Sequence, residues 1–213
     1  MSDSLRPTVR TKFSIQDYAA AVRAADPTLT RAQAGILWAQ YALETGRGSA
    51  CWNSNIGNVK VTPAQVAAGT PYFMLPGTWE IINGKKEIFQ PPHPQTWFRH
   101  FDSLAEAMTH HITFLRDKRY KKAWPSVLSG NPEEFAYALK KLGYYTGSEA
   151  DYARLMRHFH NEWMRDVPDW EVEASSPPEE PRPTYESDSP GVVHGSHVVD
   201  SALEDRKLGP FNE

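Results

Sequence analysis

Apolar residues recur every three or four positions along much of this chain, and each such block opens on a residue suited to cap a helix. Ser14, with Asp17 three residues on, starts a block through YAAAVRAA that stops at Asp26–Pro27. Thr30 can cap a second block, in which Ala32, Ile36, Ala39 and Leu43 share one face. Thr62–Pro63 opens a short third helix, with Pro at the tolerated first position. Between Pro71 and Phe101 the period changes. TWEII and KKEIF alternate around Asn83–Gly84, a strong hairpin signal, and QTWFRHF could add a third strand to that hairpin. Helical spacing returns with LAEAMTHHITFLRD after Ser103, EEFAYALKKL after Asn131–Pro132, and a last helix from Ser148 through Trp163. The pattern predicts an α+β domain, predominantly α, with six or seven helices and one small inserted hairpin.

Beyond residue 170 the pattern fails. Residues 171–213 are rich in Pro, Ser and acids and poor in large apolar side chains, so they cannot bury enough surface to offset their ordering entropy. Charge divides the chain at the same place. Residues 1–170 carry 20 Lys and Arg against 16 Asp and Glu, a net of +4; residues 171–213 carry 3 against 10, a net of −7. The expected organisation is a folded domain over 1–170 and an extended acidic tail over 171–213 that docks onto the domain or a partner.

Composition narrows the chemistry. Seven Trp and 12% aromatic residues argue for a packed globule. The single cysteine, Cys51, excludes an internal disulfide and a cysteine-based zinc cluster, and no activating His lies near it in sequence. His110–His111 and the pair His158 and His160 point off different sides of their helices, and no H-E-x-x-H unit occurs, so neither a metal nor a cofactor is expected. RDKRYKKAW, from Arg116 to Trp124, reads as a solvated connection between helices rather than a nucleic-acid patch. The N-terminus has no apolar core of a secretory signal, and the longest apolar stretch, Ala32 to Leu43, is too short for a bilayer. The expectation is a protein made in the cytoplasm, without membrane insertion.

The stretch with chemical interest is ALETGRGSACWNSNIG, from Ala42 to Gly57. Glu44 ends the most apolar helix, where the helix dipole disfavours an anion and where Trp38, Tyr41 and Trp52 could desolvate it. Both influences raise a carboxyl pKa toward the range of a general acid. The residues alone leave two readings, a solvated helix end or an acid in a cleft. Glu80 and Glu87 on the hairpin are candidates for the second carboxyl that glycoside hydrolysis commonly uses.

Four segments together resemble the N-acetylglucosaminidase-type peptidoglycan hydrolases, a family with a lysozyme-like helical fold. ALETGRGSACWNSNIGNVK is similar to its Leu-Glu-(Ser/Thr)-Gly-x-Gly unit and following Asn- and Lys-bearing loop. Thr78–Glu80 is similar to its Thr-x-Glu hairpin motif, WFRHFDSLAEAMTHHITFL to its Phe-Arg-x-Tyr-x-Ser segment, and GYYTGSEADYA, from Gly143, to its Gly-Tyr-Ala-Thr-Asp-Pro-x-Tyr-Ala motif. The chain departs from the family at Tyr145, where a small residue is usual, at Gly147–Ser148 in place of Asp-Pro, and at Gly57–Asn58 in place of Phe-Gly.

The resemblance implies roles. Glu44 matches the catalytic acid, Glu80 the proposed second carboxylate and Tyr144 the cleft tyrosine near the acid. Asn55 and Lys60 match the loop that shapes the cleft, and Tyr152 the last motif's second tyrosine. Trp52, Trp79, Tyr144 and Tyr145 are candidates for stacking on sugar faces, with core packing an equal alternative for each, and Tyr152, Asn55 and Lys60 are further candidates for substrate binding. The implied substrate is the β-1,4-linked glycan of N-acetylglucosamine and N-acetylmuramic acid. Water attack could be aided by Glu80, by a tyrosine-held water or by the substrate's acetamido group. A lytic transglycosylase and a non-catalytic glycan-binding assembly protein are the rival readings. A phage endolysin or virion-associated lysin is the expected setting, a bacterial secretion-system or flagellar accessory hydrolase the alternative, with a virion or secretion-apparatus protein as the tail's partner.

Overall fold

The computed structural model describes residues 4–170 apart from 83–84, 119 and 146, and of residues 80–82 the backbone alone. The expected docking tail, 171–213, lies outside the described residues. Among those described there are seven helices: α1 (Ile15–Ala25), α2 (Arg31–Thr45), α3 (Pro63–Ala67), α4 (Leu104–Asp117), α5 (Trp124–Leu128), α6 (Pro132–Lys141) and α7 (Glu149–Asp166). Four short strands interrupt them: β1 (Tyr72–Met74), β2 (Thr78–Ile82), β3 (Lys85–Phe89) and β4 (Trp97–Arg99). This is the mostly helical α+β fold that the pattern predicts.

The predicted helix starts are real caps. Ser14 with Asp17, Thr30 with Gln33 and Thr62 with Gln65 each form a reciprocal capping box, and Ser103, Asn131 and Ser148 each accept a backbone N–H of the first turn. Such bonds satisfy donors that a helix start otherwise leaves open. Helix α5 was not foreseen. It starts without a side-chain cap at Ala123, inside a segment whose charges suggested a solvated turn, and it is held by burial of Trp124 and Val127. Tyr120 and Ala123 before it are also buried, so that connection is packed as well as charged.

Helix α2 is the axis of the domain. Every residue from Ala34 to Thr45 is buried, as expected of a helix covered on all sides. Helix α7 lies along it, with Trp163 Nε1 donating to the Arg31 carbonyl at 2.9 Å, Trp38 and Tyr18 packed against the same indole, and Tyr41 packed in turn on Tyr18 and Trp38. The helices meet this closely because position 35 is glycine: a Cβ there would lie 2.7 Å from Trp163 Cδ1.

The strands correct one expectation. Trp97–Arg99 does not extend the hairpin; it pairs antiparallel with β1, in the register Phe73↔Phe98, while β2 pairs with β3 alone. Phe73 and Phe98 are both buried and stack at 5.8 Å, a cross-strand contact that fixes this pairing. The three residues of β1 are too few to announce a strand by alternation. A bridge from Leu5 to Tyr72 and another from Lys60 to Phe98 tie the N-terminal segment and the loop after α2 to the two edges of this small sheet.

Candidate active site

Glu44 occupies the last turn of α2, one residue before Thr45 ends the helix and Gly46 caps it in the left-handed conformation (φ 55°). It is only 3% exposed. Burial pushes its carboxyl up to about 8, against the Tyr152 hydroxyl and the Asn58 amide, which both favour the ionised form. The desolvation expected from the sequence is therefore present. Its immediate polar contacts come from other elements than anticipated: Trp38 and Tyr41 pack with Tyr18 in the core, whereas Tyr152, 108 residues along the chain on α7, donates to Glu44 Oε1 at 3.0 Å.

The connection between α6 and α7 brings the other tyrosines. Tyr144 is buried with its ring edge-on to Tyr120 at 5.0 Å, and burial together with the nearby Glu44 holds its phenol far above the usual range. Tyr145 lies flat on Tyr152, with centroids 3.8 Å apart and planes 5° from parallel, and donates its hydroxyl to the Ala136 carbonyl at 3.1 Å. One turn before Glu44, Gln40 Oε1 is 3.0 Å from Nε2 of buried His111 on α4. Burial lowers the His111 imidazole to about 4, so the ring is neutral near pH 7. The acid is thus surrounded by neutral hydrogen-bonding groups, and a protonated carboxyl is the state such surroundings favour.

The loop after α2 is held in an unusual shape. Arg47 (φ 54°), Asn53 (φ 50°), Ser54 (φ 56°) and Asn58 (φ 50°) all adopt the left-handed region, at a cost on the order of 1 kcal/mol or more each for such residues. The N-terminal segment secures it. Asn53 and Val9 exchange backbone and side-chain bonds (Asn53 N to Val9 O and Val9 N to Asn53 Oδ1, both 2.8 Å), Asn53 Nδ2 donates to Pro7 O, and Ser54 N donates to Thr11 Oγ1. At the other end Arg47 forms a two-point ion pair with Glu162 of α7, its guanidinium over Phe159 at 4.6 Å. Held this way, the loop turns Asn58 back onto the Glu44 backbone carbonyl at 3.1 Å.

The remaining candidates divide by position. Asn55 is engaged inside the loop, donating to Val59 O and Arg99 O and accepting from Val59 N, so it shapes the loop from within. Lys60 is buried, with Nζ donating to Gln95 Oε1 at 2.6 Å. Trp52 is half-buried beneath the Arg10 guanidinium at 4.8 Å. Trp79 is on β2 with Lys86 Nζ 4.3 Å from its ring centre. The backbone of Glu80 pairs with Glu87, but its side chain lies outside the described residues. Cys51 is fully buried, and burial raises its thiol to about 11, which makes it inert. Sequence reasoning missed Asn58, Gln40 and the N-terminal segment. Gln40 had a signal, since four residues before Glu44 puts it on the same helix face.

Comparison with protein families matches residues 18–164 to the family described as glucosaminidase, mannosyl-glycoprotein endo-beta-N-acetylglucosaminidase. The chain belongs to this family. The match begins within α1 and ends within α7, so it takes in Glu44, the hairpin and the three tyrosines. No curated protein and no solved structure matches the chain. Residues 4–13, which brace the loop after the acid, fall outside the glucosaminidase match. Among the described residues no helix is long and apolar enough to cross a membrane.

Proposed function

We propose that this glucosaminidase hydrolyses the β-1,4 glycosidic bonds of peptidoglycan, with Glu44 as general acid. The observation that carries this reading is the buried carboxyl at the end of α2, kept protonated near neutral pH and hydrogen-bonded on Oε1 by Tyr152. With Oε1 engaged, Oε2 carries the proton to the bridging oxygen as positive charge develops on the sugar ring. Glu80 is proposed as the second carboxylate on the strength of the hairpin motif, and Tyr144 as the neutral group beside the reacting bond. Asn58, Asn55 and the braced loop hold the acid's backbone still while the proton leaves.

Digestion of purified peptidoglycan by the full chain, followed by mass measurement of the products, tests this. New reducing ends one water heavier than anhydro sugars are expected. Anhydro ends would assign a lytic transglycosylase, and no products at all would leave a glycan-binding protein. For the setting we propose a phage lysin that acts on the cell wall, free or in the virion, with residues 171–213 as its docking segment. The opposite charges of tail and body support this. Removing residues 171–213 should spare digestion and abolish attachment to the virion or secretion-apparatus partner; loss of digestion would contradict it.

A further inference from the structure

The donor that faces the acid is itself held from behind. Tyr152 and Tyr145 are both buried, and their rings lie face to face at 3.8 Å. Aromatic pairs ordinarily prefer an offset or edge-on arrangement at longer spacing, so ring attraction alone does not account for this one. Both hydroxyls are tied down instead: Tyr152 to Glu44 Oε1 at 3.0 Å and Tyr145 to the Ala136 carbonyl of α6 at 3.1 Å. Over the Tyr145 ring lies the Lys140 ammonium, 5.1 Å from its centre, which also donates to Gly147 O at 2.7 Å and so spans the α6–α7 connection. With Tyr152 on one face and Lys140 over the ring, Tyr145 has its contacts within the fold. A tyrosine has two side-chain torsions, and a flat neighbour blocks rotation of the second. Tyr145 therefore restricts where the Tyr152 hydroxyl can go, and the hydroxyl restricts the carboxyl.

We propose that Tyr145 is a positioning residue of the catalytic acid: anchored on α6, it fixes Tyr152 and through it the Glu44 carboxyl, and it acts on turnover rather than on glycan binding. The proposal rests on the reading of Glu44 as the acid, and it assigns a purpose to the position where the family's usual small residue is replaced. It predicts an ordered chain of dependence, from Ala136 to Tyr145 to Tyr152 to Glu44, with no branch that bypasses the Tyr152 hydroxyl.

The test uses the full chain and the variants Tyr145→Leu, Tyr145→Phe, Tyr152→Phe and the double variant Tyr145→Phe/Tyr152→Phe. The Glu44 carboxyl is titrated by carbon NMR, its resonance assigned with Glu44→Gln, and kcat and KM are measured on soluble glycan fragments. Tyr152→Phe removes a donor that favours the ionised carboxyl, so Glu44 should titrate at higher pH. Tyr145→Leu keeps an apolar side chain but removes both the flat ring and the hydroxyl anchor, and should shift the titration in the same direction, lower kcat by about tenfold and leave KM within about twofold. Tyr145→Phe keeps the stack, loses the anchor and preserves the fold even if Tyr145→Leu does not. It should give a smaller shift in the same direction, and that shift should vanish when Tyr152 is already Phe. Unchanged titration in Tyr145→Leu and Tyr145→Phe, a shift that persists in the double variant, or a raised KM with unchanged kcat would each overturn the proposal. The titration reads the dependence without turnover. Absent digestion by the wild type would therefore fail the functional reading and leave this one decided separately.

Discussion

The end of α2 and the β2–β3 hairpin both carry carboxylates, and they are built in opposite ways. Glu44 is buried where α2, α7 and the loop from Gly46 to Asn58 converge, with a tyrosine hydroxyl and an asparagine amide brought from distant parts of the chain. Glu87 is exposed on a two-stranded ribbon, between Lys86 and an Ile88 that is itself 63% exposed, and β3 pairs only with its sequence neighbour β2. The same functional group thus meets a dry, neutral, crowded environment in one place and water and lysines in the other. What makes a carboxylate a candidate acid is the packing that surrounds it, and that packing is long-range.

The largest effect that would break this contrast concerns activity. Glu44→Gln should lower glycan cleavage by about a thousandfold, as expected when a general acid is removed, whereas Glu87→Gln should leave it within about twofold. Comparable losses in the two variants, measured as released reducing ends, would show that burial does not distinguish the sites.

Stability sharpens it next. The Glu44 carboxyl titrates near 4.5 in an unfolded chain and near 8 in the fold. The fold therefore favours the neutral form. Glu44 costs nothing well below pH 4.5, and its cost grows as pH rises from 4.5 through 8, on the order of 5 kcal/mol at about 1.4 kcal/mol per pH unit. Glu44→Gln, which cannot ionise, should match the wild type in melting temperature at pH 4 and exceed it increasingly toward pH 9.

Packing gives the smallest predicted differences. Alanine at Gly35 gains about 1 kcal/mol of helix propensity but drives a Cβ to 2.7 Å from Trp163, whose indole is buried and tied to Arg31. Overpacking of this kind costs about 1–3 kcal/mol, so a net loss of up to about 2 kcal/mol in denaturant unfolding is expected. Ile88→Ala on the hairpin should change stability by less than about 0.5 kcal/mol.

This contrast also explains what could be read from the sequence. Helix starts were legible because a cap and its partner are three residues apart, as with Ser14 and Asp17, and the hairpin was legible because TWEII and KKEIF alternate, close together in the sequence. Glu44 stood out because an acid at the end of an apolar helix is locally anomalous. Its bond to Tyr152 was not visible, since it spans 108 residues; the motif resemblance named Tyr152 as a site residue but not as the acid's partner. Strand β4 was recognised but misassigned to the hairpin for the same reason: its partner, β1, is three residues long and lies beyond the hairpin in sequence. The bracing of Asn53 by residues 7 and 9 is equally non-local.

The most direct test of a buried, protonated acid at the end of α2 is the pH dependence of kcat/KM for glycan cleavage by the full chain. Activity should persist through neutral pH and fall as pH rises through about 8, following deprotonation of Glu44. A fall that begins near pH 4.5, with Glu44 titrating there, would contradict it.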